Sequence, residues 1–409
     1  MDTLKNTSSY FSVSPDLVVV NESLPYDLYI NSSAIENREK YVRIFRKDGV
    51  LSRDDVQSFM NKYHRIYVAE TERSSFLKSL IKSPEATPVQ KTTVLKDSAI
   101  HHLQKLFDHE VTTEVLAQGI VDCREVVEGM IDVVGDYRVD QLQDLIANLS
   151  FHDFYTYDHS INVAMYCILI YKALEPGARR ADIVQAGLAG LLHDLGKIKI
   201  STEILNSAEK LTDEQFQEIK KHPQYGFDLL GEVRPTLPEN IRAELVGRVI
   251  VEHHENYDGT GYPNRIGGKQ IHVLSRITTI ADFFDAITTK RSYHEPLSLE
   301  DAIALMSNSQ GKKIDPDLFQ FFVKHTQQME LRKHLNRELA AEFDPCQPCR
   351  ELPLAPVAQK PVVPSVDTKG AVQVKESKKV TGNGKIMVID TTKPRKVVST
   401  KGGLIKKTG

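Results

Sequence analysis

From Thr93 to Glu342 the apolar residues return at a helical period. Ile100, Leu103, Leu106 and Phe107 share one face, as do Val126, Val127, Met130 and Val133. One period sustained over so long a stretch predicts a helical bundle with ample buried core. Set into it are His159, His193, Asp194, His222, His253, His254 and Asp282, each in or beside an apolar segment. An unpaired polar group is costly to bury there. Taken singly, each reads as a satisfied core residue or a solvated one. Seven in one bundle point elsewhere, because bundles build metal sites from inward-facing side chains on several helices.

The densest stretch is His253-His254-Glu255-Asn256-Tyr257-Asp258-Gly259-Thr260-Gly261-Tyr262-Pro263, in which a glycine-rich turn and a Tyr-Pro corner follow two adjacent histidines. Leu192-His193-Asp194-Leu195-Gly196-Lys197 precedes it. Imidazole and carboxylate without thiolate suit a mid-series ion such as iron or manganese better than zinc. A carboxylate such as Asp194 can bridge two ions held roughly 3.5–4 Å apart, with a hydroxide between them as nucleophile toward a phosphate ester. Lys197, three residues after Asp194, would face the same way on a helix and could neutralise a phosphate oxygen. Its bland reading is a solvated helix-end lysine.

The rest of the chain divides by composition. Residues 1–81 read as a small α/β unit with a regulatory or sensory role suggested by position. Strands are expected at Leu17–Val20, Asp27–Ile30, Tyr41–Phe45 and Arg65–Val68, and a helix N-cap at Ser52. Residues 82–92, rich in turn formers, read as a linker. Residues 93–342 are the bundle, and 343–409 a basic tail, expected to be disordered apart from a short strand at Gly384–Ile389. From Glu351 onward twelve Lys/Arg face four Asp/Glu, so the tail carries +8 of a net charge of −3. It lacks the interleaved aromatics that stack on bases, so no nucleic-acid partner is expected. Cys346-Gln347-Pro348-Cys349 is a lone CxxC, short of the four ligands of structural zinc. His101, His102 and His109 read as surface or core positions of an amphipathic helix. With no run of about eighteen apolar residues and no secretory leader at the N-terminus, a cytoplasmic protein without a membrane span is expected.

The His-Asp pair at 193–194, His253-His254-Glu255 and Asp258-Gly259-Thr260-Gly261-Tyr262-Pro263 resemble the HD-GYP family, a branch of the HD phosphohydrolases. Tyr155–Ser160, His222-Pro223-Gln224-Tyr225-Gly226 and Ile280–Ala286 follow the family's order. The resemblance implies a mainly α, HD-type bundle that hydrolyses cyclic di-GMP to pGpG and/or GMP. It implies a metal centre held by His159, His193, Asp194, His222, His253, His254 and Asp282, with Asp194 and Lys197 as catalytic groups. Lys197, Gly261, Tyr262, Pro263, Arg291 and His294 are implied substrate contacts.

Two positions depart from the family's pattern. Tyr155 stands where some members carry a Glu that helps hold a third ion, so two divalent ions, iron or manganese, are expected. His294 stands where members often carry Lys or Arg. It is shorter and mostly neutral at pH 7, which supports an alternative: a catalytically weak module that binds cyclic di-GMP or docks on a protein such as a diguanylate cyclase. A further alternative keeps the chemistry and changes the substrate to mixed cyclic GMP-AMP. A homodimer is compatible with the sequence and not required by it.

Overall fold

The computed structural model describes residues 9–33, 39–63, 65–107, 111–134, 156–205, 207, 211–289, 297–326, 337–339 and 354–356. They fall in one unit, Met1–Val357; the second unit, Ala358–Gly409, lies outside them. Tyr155, Arg291, His294, His109, the CxxC and the strand expected at 384–389 also lie outside the described residues.

The N-terminal segment forms a four-stranded antiparallel sheet of β1 (Tyr10–Val13), β2 (Leu28–Asn31), β3 (Tyr41–Phe45) and β4 (Ile66–Ala69), in the order β1-β4-β2-β3. Two helices accompany it, α1 (Arg53–Lys62) and α2 (Arg73–Lys82). Ser52 caps α1 as the sequence predicts, in a reciprocal box with Asp55. The strand expected at Leu17–Val20 is absent. Pro15 instead opens a single 3-10 turn through Leu17, and Val18 and Val19 are buried in the connection that follows. A β-branched run reports a fit to buried surface as much as to a ladder. The first strand lies upstream, where Tyr10 stacks on Tyr41 with centroids 4.0 Å apart.

Residues 82–92 are less of a linker than their composition suggests. Thr87 accepts from the amide of Gln90, whose side chain accepts from the amide of Thr87 in turn. With Pro88 at the first position, this box starts α3 (Pro88–Leu106), leaving only residues 83–87 as a turn. The helical part continues with α4 (Thr113–Val134), α5 (Thr156–Leu174), α6 (Arg180–Leu192), α7 (Thr202–Leu205) and α8 (Asp213–Ile219). It ends with α9 (His222–Val233), α10 (Ala243–Glu252), α11 (Val273–Thr288), α12 (Leu299–Ser307) and α13 (Pro316–Thr326). A two-stranded pairing of β5 (Arg337–Leu339) with β6 (Leu354–Pro356) follows.

The centre of the bundle is set by α5 and α6. Ile161 to Ile170 on α5 and Ile183 to Leu192 on α6 are buried around the whole helix circumference, the signature of an interior helix. At about 1.5–3 kcal/mol for each fully buried large apolar side chain, these two helices fix whatever is attached to them. Among the described residues the main apolar cluster runs from Val13 to Val323, with a small second one of Ile200, Leu211 and Ile219.

Candidate metal centre

Each expected ligand sits at a helix end or one turn inside it, or, for Asp282, in mid-helix, where backbone geometry aims the side chain. His159 lies in the first turns of α5. His193 ends α6, and Asp194 follows it. His222 opens α9, His253 closes α10 with His254 next, and Asp282 is in the middle of α11. The five elements converge on one spot. Asp194, His222, His253 and His254 each present a ligand atom within 4.8 Å of the others, and so do His159, His193 and Asp194. Asp194 belongs to both groups. His193, Asp194, His222, His253 and Asp282 are at most 2% exposed.

Three of the histidines are oriented identically. The Nδ1 of His193 lies 2.8 Å from the carbonyl oxygen of Gly190, that of His222 2.8 Å from Ile219, and that of His253 2.8 Å from Ile250. A carbonyl only accepts, so Nδ1 carries the hydrogen and the Nε2 lone pair points inward. Burial then pushes His222 down to about 3 and His253 down to about 4, and His254 well below the ordinary imidazole value, so all three are neutral near pH 7. The Nε2 atoms of His222 and His253 face each other at 3.2 Å, two lone pairs with no hydrogen between them. The buried Nε2 of His193 and Oδ1 of Asp194 likewise lack a hydrogen-bond partner. Buried acceptors converging without a donor are what a cation would satisfy. The donor set fits a metal ion.

The carboxylates complete the charge balance. Burial works against ionised Asp194, yet the ammonium of Lys197 beside it outweighs that and holds the carboxyl well below the usual range. Lys197 Nζ lies 2.6 Å from Asp194 Oδ2, on the short 3-10 turn Leu195–Lys199. His159 sits between two carboxylates, its Nε2 3.1 Å from Asp282 and its Nδ1 2.6 Å from Asp285. Burial would lower this imidazole, but the two hydrogen bonds raise it to about 9. Asp282, despite its own burial, is held down to about 2 by His159.

The glycine-rich stretch after His254 lies over this cluster. Tyr262 stacks on the His254 ring with centroids 4.9 Å apart and planes 22° from parallel, and its amide donates to the His254 carbonyl at 3.1 Å. A side chain on Gly261 would meet the Asn256 nitrogen at 2.2 Å and the His254 oxygen at 2.5 Å, so only glycine fits the close return. The Tyr262-Pro263 peptide is cis. Pro263 is exposed. Lys220 places its ammonium 5.3 Å from the centre of the Tyr262 ring and 4.6 Å from that of Phe216.

Three features of the site went unassigned from sequence. Asp285 meets His159 and accepts from Asn162, and buried Glu255 accepts the Asn264 amide at 2.6 Å, anchoring the loop after Pro263. Asp285 was legible in principle, since its three-residue spacing from Asp282 puts both on one helix face. His101 pairs with Glu70 (3.1 Å) and His102 with Asp122 (3.4 Å), apart from the cluster.

A family model described as an HD domain matches residues 145–318. Over 182 residues the chain is 39% identical to a protein of Pseudomonas aeruginosa named cyclic di-GMP phosphodiesterase PA4108, covering 44% of this chain and 41% of that protein. It is 34% identical over 165 residues to a Vibrio cholerae protein named 3'3'-cGAMP-specific phosphodiesterase 3, covering 40% and 34%. It is 33% identical over 143 residues to the Xanthomonas campestris protein named cyclic di-GMP phosphodiesterase response regulator RpfG, covering 35% and 36%. The matched region thus spans less than half the length of each of these relatives. The chain carries an HD domain. In its His-Asp pair and its Gly-Tyr-Pro loop it is similar to the HD-GYP family. No helix among the described residues is long and apolar enough to cross a membrane.

Proposed function

We propose that this chain is a metal-dependent phosphodiesterase that hydrolyses cyclic di-GMP to pGpG and/or GMP. The observation that carries the reading is the convergence of buried, donor-less acceptors of His193, Asp194, His222 and His253 beneath Tyr262. His159, His193, Asp194, His222, His253 and His254, which fall in two groups sharing Asp194, and Asp282 beside His159 would hold two divalent ions, iron or manganese. Bound there, the ions would supply Lewis acidity toward the phosphate oxygens and lower the pKa of water.

The chain's own residues do the rest. Asp194, kept ionised, is the carboxylate common to both groups. Lys197, beside it, is the cation available to a non-bridging phosphate oxygen as negative charge builds up. The close backbone return at Gly261 sets the loop over the cluster, Pro263 follows at its exposed edge, and the stacked Tyr262 ring offers a flat surface to a purine base. Arg291 and His294 remain proposed substrate contacts. The names of the Pseudomonas and Xanthomonas relatives support cyclic di-GMP as the substrate. The Vibrio relative supports cyclic GMP-AMP as a second reading. The test incubates protein reconstituted anaerobically with manganese or iron with cyclic di-GMP, cyclic di-AMP and 3'3'-cGAMP, and resolves products by chromatography. Conversion of cyclic di-GMP to pGpG or GMP fastest of the three is the expected result. No turnover of any of them by protein holding two ions would sink the proposal.

A further inference from the structure

His193, His222 and His253 have their Nδ1 hydrogens fixed by main-chain carbonyls that no substitution of a side chain removes. His159 differs. Its Nδ1 is met by a side chain, Asp285 Oδ2, at 2.6 Å. Asp285 is 1% exposed and stands one turn after Asp282 on α11, so the two carboxylates approach the imidazole from opposite ring nitrogens. The other oxygen of Asp285 accepts from Asn162 Nδ2 and from Thr289 Oγ1, each at 2.8 Å. Asn162 is one turn along α5 from His159, and Thr289 ends α11. Three donors from two helices therefore converge on one carboxylate, and only an acceptor with two oxygens serves them all. Asp285 is spent on these bonds and is absent from both groups of converging ligand atoms.

We infer that Asp285 is a positioning residue: by anchoring His159 through Nδ1 it aims Nε2 at the cluster, beside Asp282, and so controls one of two ion positions and not the other. This rests on the metal-centre part of the reading above and goes beyond it. The position affected is the one bordered by His159, His193 and Asp194; the group of Asp194, His222, His253 and His254 has no contact with Asp285 among those described. In an Asp285→Asn variant the new side-chain amide presents one acceptor oxygen to three donors, so either the His159 bond or the Asn162 and Thr289 bonds are lost.

The experiment titrates metal-free protein with Mn2+ by calorimetry and follows the ions by electron paramagnetic resonance, which separates an exchange-coupled pair from isolated ions. Wild type is expected to bind two ions as a coupled pair. Asp285→Asn is expected to weaken one ion by roughly 10- to 100-fold, the usual range for losing such a partner, and leave the other within about twofold, with isolated-ion spectra at intermediate loading. Thr289→Val, which removes one donor to Asp285 at a partly exposed position, should weaken the same ion severalfold; it decides the matter if Asp285→Asn lacks a cooperative melting transition. Unchanged binding of both ions, or equal weakening of both, would overturn the role of Asp285. Failure of wild type to bind two ions would instead overturn the metal reading itself, and hydrolysis assays are read separately from both.

Discussion

Gly196 lies so close to the main chain of His222 that a Cβ on it would come within 1.9 Å of the His222 oxygen and 2.4 Å of the Gly226 nitrogen. The 3-10 turn after Asp194 thus crosses the start of α9 backbone on backbone. Two proposed ligands from separate parts of the sequence, Asp194 and His222, owe their approach (3.3 Å between Oδ1 and Nε2) to a residue with no side chain. Gly196→Ala must push the crossing apart. We expect a loss of about 1–3 kcal/mol or more, the cost of overpacking, with weakened metal binding. Gly231→Ala on the same helix α9 meets nothing within 4 Å, and should stabilise by roughly 0.5–1 kcal/mol. Urea melts of both variants check this, and equal stability of the two would refute the crossing as a constraint.

Chelation offers a second check. If the facing Nε2 atoms of His222 and His253 are held together by a cation, ions bind the folded chain far better than the unfolded one. Free metal at 100 times its dissociation constant would then add about 2.7 kcal/mol of stability. The melting temperature should rise on adding Mn2+ and fall back with chelator. In a variant with both His193 and Asp194 changed to Ala the metal-dependent rise and the hydrolysis should vanish together, and a retained rise would place the ions elsewhere.

The N-terminal unit has its own pH signature. Glu70 accepts from Arg73 Nε and Nη2, each at 2.8 Å, and pairs with His101 at 3.1 Å. Burial opposes its ionisation, but the Arg73 and His101 hydrogen bonds depress its pKa strongly. A depressed carboxylate contributes stability that is fully present above the unfolded value near 4.3 and is lost as pH falls through the folded one. Glu70→Gln should therefore be destabilised by about 1–2 kcal/mol at pH 7, and the gap to wild type should narrow steadily below pH 4. A gap independent of pH between 7 and 3 would contradict this.

Tyr262 can be tested by its ring alone. Tyr262→Phe keeps the stack on His254, worth about 0.5–1.5 kcal/mol, and should leave the KM for cyclic di-GMP within about threefold. Tyr262→Ala should raise it by roughly tenfold or more, in line with the 1–3 kcal/mol of a base-on-aromatic contact. Steady-state kinetics on the two variants decide.

How much of this was legible beforehand depended on the range of the interactions involved. The helical period from Thr93 and the cap at Ser52 are local, and the sequence carries them directly. The seven His and Asp positions stood out because polar groups in apolar helices are costly, and all seven come together. What the sequence concealed were relations between distant segments: Gly196 under His222, Asn162 against Asp285, and Lys220 over Tyr262. The error at Leu17–Val20 has the same origin, since burial and ladder pairing leave the same mark on a string of valines.

Helix α2 belongs to two neighbourhoods at once. Phe76 packs edge-on against Phe11 and Tyr26 of the sheet side, while a Cβ on Gly129 of α4 would strike Ile81 at 2.7 Å, and Lys78 reaches Glu125 of α4 at 3.3 Å. A shortened chain beginning at residue 82 would strip this shared wall from α4 and present its small-residue face to water.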